Sequence, residues 1–343
     1  MEDFPLLLRR LIQGGTMTAE ESASALGAIF DEELTTNQAA ALLTVLASRG
    51  ETVEEVMGGA IAMRQRARRV DHQLPLVIDI VGTGGDGTRS INISTAAALV
   101  VAGAGVAVAK HGNRAASSAC GSADVLEALG VPLDLDPVAT GELLASDRIA
   151  FLFAPRYHPA MKAVAGLRRE LGVRTIFNLL GPLCNPAGTQ RQLVGVFGET
   201  QMELVAEAMQ GLGIEAGAVV HSASGMDEVS GEGPTWVAQF GPEGSSRWLL
   251  NPEDHGVQAS LADLRGGDAQ TNAELILAIL RGEPSPRADV VALNASLALV
   301  LAAAAADIDE GMAMARASVS SGAALAALDA LRRGPSQLES RHV

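Results

Sequence analysis

The sequence predicts an α/β protein, with a small all-helical domain followed by a large domain whose mostly parallel central sheet is flanked by helices. Three observations predict this. The first 70 residues carry helix caps and helical apolar spacing but no strand-like run. From residue 76 onward, short apolar runs alternate with longer helical stretches, the pattern of parallel strands under covering helices. From residue 272 the chain reads as helix again.

The helical part justifies itself element by element. Phe4 to Leu11 is apolar at helical spacing. Thr18-Ala19-Glu20-Glu21 offers a capping hydroxyl followed by acids, which suit the positive end of a helix dipole. Thr35 or Thr36 caps a segment continuing from Ala39 to Ala47. Thr52 to Arg69 starts with Glu54 and Glu55 and ends in Arg64, Arg66, Arg68 and Arg69. Strands are then expected at 76–81, 106–109, 149–154, 192–197, 218–222 and 236–240. Helices are expected at 95–104, 121–129, 159–171, 201–211, 272–281, 289–306 and 308–332. Residues 175–180 fit strand or helix, and the end from Gly334 to Val343 reads as a frayed tail.

Bulk properties narrow the function. A chain of 343 residues suits one large domain plus a small one. With 48% hydrophobic and 19% charged residues it can bury a sizeable core. A net charge of -15 repels phosphate backbones and argues against a nucleic-acid partner. It leaves room for a small phosphorylated substrate, because backbone N–H groups, a few cations and a metal reverse the potential locally. Cys120 and Cys184 form no C-x-x-C pair, so no zinc or disulfide framework is expected. The N-terminus is acidic where a signal peptide is basic, and no apolar run approaches the roughly 20 residues of a membrane span. The expectation is a soluble, cytoplasmic protein with no membrane contact.

The chemistry gathers at the ends of the expected strands, where parallel sheets bind ligands. Gly82-Thr83-Gly84-Gly85-Asp86-Gly87 follows the first strand and precedes a helix. Its N–H groups suit a pyrophosphate, although the loop alone fits a ligand-free turn equally well. It has neither the spacing of a dinucleotide fingerprint nor the G-K-[ST] of a Walker loop. Asn92-Ile93-Ser94-Thr95 opens the next helix, where the hydroxyls either cap it or meet a phosphate or metal. Lys110-His111-Gly112-Asn113-Arg114 ends the second strand and combines two cations, an imidazole and an amide, which suits a phosphate plus an aromatic acid. Gly121-Ser122-Ala123-Asp124, preceded by Ser117-Ser118, is another helix start able to take an anion. Asp227-Glu228 offers adjacent carboxylates fit for Mg2+, or two surface acids among 40.

Taken in order, these blocks resemble the anthranilate phosphoribosyltransferases of tryptophan biosynthesis. The resemblance also covers His158-Pro159-Ala160-Met161, Arg174-Thr175-Ile176-Phe177-Asn178-Leu179-Leu180-Gly181-Pro182-Leu183-Cys184-Asn185-Pro186, Asn251-Pro252-Glu253-Asp254 and Leu293-Asn294-Ala295. It implies a small helical domain of residues 1–72 plus about 165–190, a large domain of 73–164 and 191–343, and an active site between them. It implies a homodimer and two Mg2+ ions. Gly82, Gly85, Asp86, Ser90, Asn92, Ser94, Thr95, Lys110, Ser118 and Ser122 would line the 5-phosphoribosyl 1-pyrophosphate site. Gly82, His111, Asn113, His158 and Arg168 would meet anthranilate. Ser94 would touch one Mg2+, and Asp227 and Glu228 the other. No side chain is expected as nucleophile or base. Departures from the family pattern fall at Ser90-Ile91, Ala115-Ala116, Ala119-Cys120 and Gly166, and none removes a ligand group. Two other readings stand beside this one. A pyrimidine nucleoside phosphorylase shares the architecture but favours a different glycine loop. A non-catalytic nucleic-acid-binding relative would need a basic groove.

Overall fold

The computed structural model describes residues 3–115 and 119–334. Four helices come first: α1 (Phe4–Ile12), α2 (Ala19–Phe30), α3 (Thr36–Arg49) and α4 (Val53–Gln65). The last three start on capping boxes, Thr18 with Glu21, Thr35 with Gln38 and Thr52 with Glu55. Glu55 also takes the Met17 N–H at 3.0 Å and the Arg49 guanidinium, so a buried carboxylate ties three segments together. α4 stops at Gln65, short of Arg69, and Arg66 turns back onto Asp31 instead.

The rest of the chain alternates as expected. It runs β1 (Ile78–Gly82), α5 (Ile93–Gly103), β2 (Val108–Gly112), α6 (Ser122–Ala128), α7 (Pro137–Asp147), β3 (Ile149–Phe153), α8 (Ala154–Tyr157), α9 (Lys162–Leu171) and α10 (Phe177–Leu183). β4 (Arg191–Gly195), α11 (Thr200–Gly211), β5 (Ala216–Ser222), β6 (Thr235–Gly241) and β7 (Gly244–Leu250) follow. α12 (Ala269–Leu280), α13 (Pro286–Leu301), α14 (Ile308–Ser320) and α15 (Ala323–Arg333) close the chain. The sheet order is β3-β2-β1-β4-β5-β6-β7. β1 to β5 are parallel, and β6 and β7 are antiparallel. The chain builds outward from β1 to β3, then crosses back to lay β4 on the other side of β1. The junction of β1 and β4 is therefore the topological switch point, where an open α/β sheet forms its ligand crevice.

The crossover from β3 to β4 leaves the sheet. Val164, Leu167, Ile176, Phe177 and Leu180 share one core with Phe4, Leu26, Leu43 and Leu46 of the N-terminal helices. Val194, Val219 and Met209 belong to the same core, so the bundle and α11 cover one face of the sheet. Ile78, Ile80, Val108 and Leu193 point to the other face and pack under α5, α12, α13, α14 and α15. Successive strand residues thus serve opposite cores.

Several expected boundaries shift, each for a physical reason. α7 arises in a stretch where no element is expected, although Asp136 caps it through Ala139 N–H at 2.9 Å and Pro137 opens it. β7 falls outside the expected strands because Gly244 to Arg247 are exposed and polar, which is normal for an edge strand. The span 308–332 is two helices, broken at Gly322 with φ +80°. α13 starts at Pro286, earlier than expected, because Ser285 caps it. Residues 177–183 are helix, which settles the ambiguous segment. The expected frayed tail lies, from residue 335 on, outside the described residues. Among the described residues no helix is long and apolar enough to cross a membrane.

Candidate active site

The glycine loop leaves β1 at the switch point, beside Asp227 on the loop after β5. Asp227 Oδ2 accepts the Gly84 N–H at 2.6 Å. A Cβ at Gly82 would stand 2.5 Å from that oxygen, so any larger residue would push the Asp227 carboxylate out of place. Asp86 closes its own turn by accepting from Thr88 N (3.1 Å) and Thr88 Oγ1 (2.7 Å), and it also accepts the Asp227 N–H at 3.4 Å. Glu228 Oε1 accepts the Ser94 N–H at 3.2 Å, placing a carboxylate at the N-terminus of α5. Lys110 is buried on β2, where its Nζ donates to Ile80 O at 2.6 Å and to Ser94 Oγ at 3.3 Å.

Three carboxylates therefore share one patch with one ammonium. Burial, then the charge of Asp86, pushes Asp227 well above the usual carboxylate range. Burial, then Asp227, pushes Glu228 up as well, although part of Glu228 still meets solvent. Burial pushes Lys110 down. The patch is short of positive charge, the condition a divalent cation relieves. Among the described residues no three His, Cys, Asp or Glu side chains form a ready-made cage. Mg2+ needs none, since it takes one or two carboxylates and fills its shell with water and substrate oxygens. Asp227 and Glu228 fit that role.

A second group adjoins the first through β2. The rings of His111 and His158 meet edge to face, with centroids 5.0 Å apart. His111 Nδ1 lies 3.2 Å from Gly181 O, so Nδ1 carries the proton and donates. His111 Nε2 and both ring nitrogens of His158 are buried without a hydrogen-bond partner; the Cys184 backbone faces His158 without closing a bond. Burial, then His158, holds His111 down to about 3, and burial holds His158 down to about 4, so both imidazoles are neutral. Buried polar atoms without partners mark a place where a ligand completes the set. Thr83 Oγ1 and Thr95 Oγ1 are in the same condition.

The structure thus joins Gly82, Asp86, Ser94, Lys110, Asp227 and Glu228 through direct contacts, with Gly85 on the same loop and His111 and His158 beside them. Other candidates stand apart. Asn92 spends both ends of its amide on the scaffold, donating to Cys120 O (3.1 Å) and accepting from Asn272 Nδ2 (2.9 Å). Ser90 forms an isolated bridge with Arg265. Asn113 is exposed, and its backbone carbonyl accepts Ser122 Oγ at 3.3 Å. Arg168 lies in the last turn of α9 with its guanidinium 5.8 Å from the centre of Phe177, and burial lowers its pKa. Ser118 lies outside the described residues.

Sequence reasoning gave no role to three residues that hold the site, although it quoted two of them within a family block. Asp79, fully buried on β1, accepts His111 N–H at 3.2 Å and Asn185 Nδ2 at 2.8 Å; burial raises it to about 6. Its signal was the lone charge in the apolar run from Leu76 to Val81. Asn185 also donates to Ala109 O at 2.7 Å, pinning the crossover to β2. Arg174 donates to Gly85 O at 3.0 Å and lies 3.9 Å from the centre of the Phe197 ring. A separate surface depression of about 440 Å³, bounded by Glu253, Gln258, Ser285 and Asp289, holds none of these groups.

Comparisons with known proteins place the chain in a family. Residues 5–67 match the family described as "Glycosyl transferase family, helical bundle domain", and residues 74–325 match "Glycosyl transferase family, a/b domain". The anthranilate phosphoribosyltransferase of Rhodopseudomonas palustris (strain BisB18) is 47% identical over 332 residues, covering 96% of this chain and 98% of the relative. The crystal structure of the Thermus thermophilus enzyme of that name superposes with a TM-score of 0.90 at 44% identity, covering 95% of this chain and 99% of that one. The Saccharomyces cerevisiae enzyme superposes with a TM-score of 0.90 at 27% identity, covering 98% of each chain, in its complex with PRPP and Mg. Its complex with 4-fluoroanthranilate gives 0.89 at 26% identity, with the same coverage. By sequence over nearly its whole length and by fold, the chain belongs to the anthranilate phosphoribosyltransferase family.

Proposed function

We propose that the protein transfers the phosphoribosyl group of 5-phosphoribosyl 1-pyrophosphate to anthranilate, releasing pyrophosphate, as the second step from chorismate to tryptophan. The observation that carries the reading is the cation-short patch of Asp86, Asp227 and Glu228 beneath a glycine loop at the switch point of the sheet. Breaking the bond from ribose C1 to pyrophosphate builds negative charge on the leaving group and positive charge on the sugar. The free loop N–H groups of Gly85 and Asp86 and the Lys110 ammonium would meet that leaving charge, the Gly84 N–H being held by Asp227. Ser94 would hold one Mg2+, and Asp227 with Glu228 a second; when bound, Mg2+ neutralises pyrophosphate oxygens as they take up charge. Gly82, Gly85, Asp86, Ser90, Asn92, Thr95 and Ser122 would shape the rest of that site.

The nucleophile is an aromatic amine, neutral at pH 7, so no strong base is required. The neutral His111 and His158 give it a dry wall with free polar nitrogens. Asn113 and Arg168 would contact anthranilate, with Arg168 holding the substrate carboxylate or ordering its pocket. The work is positioning and electrostatics, without a covalent intermediate. Neither the nucleoside phosphorylase nor the nucleic-acid-binding reading has an observation in its favour. The exposed Leu6 and Ile12 on α1 support a homodimer through the helical domain, made of residues 1–72 plus about 165–190. The setting is the cytoplasm.

Anthranilate fluorescence followed with 5-phosphoribosyl 1-pyrophosphate, with and without Mg2+, tests the reading. Loss of signal only with all three present is expected. Persistent fluorescence with folded protein would overturn it.

A further inference from the structure

Leu293-Asn294-Ala295 is a motif that the reading above leaves without a role. Asn294 lies in α13, on the far side of the loop that carries Asp227 and Glu228, and is 1% exposed. Its Oδ1 accepts the Val229 N–H at 3.0 Å, and its Nδ2 donates to Val229 O at 2.8 Å. The second Nδ2 hydrogen goes to Val290 O at 2.9 Å, one turn back on the same helix. The side-chain amide thus pairs with Val229 as one strand pairs with another. Val229 lies outside every strand and helix and is fully buried, so Asn294 supplies the backbone partners that secondary structure would otherwise give.

The loop is clamped at two points. Val229 directly follows Glu228. Two residues earlier in the loop, Gly195 of β4 lets its backbone lie against the Asp227 carbonyl so closely that a Cβ would overlap it. α13 also crowds the loop further on, where a Cβ at Gly231 would stand 2.8 Å from Val290 Cγ2. The two carboxylates have little freedom to move while both clamps hold. Only asparagine fits at this position. Aspartate keeps the shape but brings no donor to two carbonyls. Glutamine is one methylene too long for the same pairing, and serine has a single hydroxyl.

We propose that Asn294 is a positioning residue that sets Asp227 and Glu228 for the Mg2+ complex of 5-phosphoribosyl 1-pyrophosphate, acting through the Val229 backbone. This rests on the phosphoribosyl-transfer reading of the site. A residue that merely stabilised the fold would lower the melting temperature and leave metal dependence alone.

The test is calorimetric titration of 5-phosphoribosyl 1-pyrophosphate into wild type, Asn294→Asp and Asn294→Ser over a series of Mg2+ concentrations, alongside the KM for anthranilate. The Mg2+ concentration for half-maximal binding is expected to rise about 10–100-fold in both variants. The anthranilate KM should stay unchanged, and saturating Mg2+ should restore much of kcat. A folded variant with the wild-type Mg2+ midpoint overturns the proposal, as does an equal shift in both substrates. Should Asn294→Asp not fold, Asn294→Ser decides alone. Failure of wild type itself to bind the sugar donor would remove the underlying reading, an outcome distinct from a failure confined to the role of Asn294.

Discussion

Gly195 ends β4 with its backbone pressed on the Asp227 carbonyl, a contact between main chains that no rotamer change relieves. Gly195→Ala must therefore displace Asp227, and a misplacement of about 1 Å at a reacting centre costs about 100-fold in rate. Gly166 is the opposite case: it is exposed in α9, and nothing lies within 4 Å of a Cβ built there. Gly166→Ala should leave turnover intact and add about 0.5–1 kcal/mol of stability, because alanine loses less backbone entropy in a helix. Steady-state kinetics and thermal melts of both variants check this; wild-type kcat/KM for Gly195→Ala would refute the account. Asp227 and Lys110 were visible in the sequence because they sit in compact blocks with turn glycines. Gly195 was not, because its constraint comes from a residue 32 positions later, and a lone glycine at a strand end does not say what lies against it.

At the scale of elements, the link between α9 and α10 reaches the glycine loop through one side chain. Arg174 stacks on Phe197, just beyond β4, and donates to Gly85 O, just beyond β1. It thereby fastens the loop to the neighbouring strand end. Arg174→Met keeps apolar contact with Phe197 and loses the hydrogen bond. The bond is exposed, so its loss should cost about 1 kcal/mol, or about fivefold in the KM for the sugar donor, with little change in melting temperature. An unchanged KM for the sugar donor would remove the latch. Elements with strong local signals were legible: the capping boxes at Thr18 and Thr52, and the apolar runs of β1 and β3. β7 was not, since an edge strand is held by its ladder to β6 and shows its side chains to solvent. The turn between α14 and α15 was signalled only by Ser320-Ser321-Gly322, and it hid because small residues compatible with a helix stand on both sides.

For the molecule as a whole, two buried neutral imidazoles make folding sensitive to acid. His111 and His158 are held to about 3 and about 4 by burial, against an unfolded value near 6.5. The unfolded chain therefore binds protons first. The stability tied to each imidazole is present above pH 6.5 and is lost as pH falls toward its folded value. Asp79, raised to about 6, titrates in the opposite sense in the same window, and Lys110 lies beside both Asp79 and His111. The comparison must therefore be made between variants. Urea unfolding of wild type and His158→Asn at pH 7.5 and pH 5 should show the wild type losing about 1–2 kcal/mol more across that interval. Equal losses would show that His158 is not held neutral. The family resemblance brought His111 and His158 to one site, but their burial without partners was not legible, because it depends on a crossover that no local pattern reveals.

That crossover also sets an order of events during synthesis. The core of the N-terminal bundle contains Val164, Leu167, Ile176, Phe177 and Leu180, which come about 100 residues after α4. On the ribosome, α1 to α4 emerge first and wait for those side chains, a delay on the order of ten seconds at ordinary elongation rates. Until then α2 and α4 can cover only one another, and the apolar surface that later meets α9 and α10 stays open. The first part of the chain to be made is thus among the last to close, and its capping boxes keep its helices marked out in the interval.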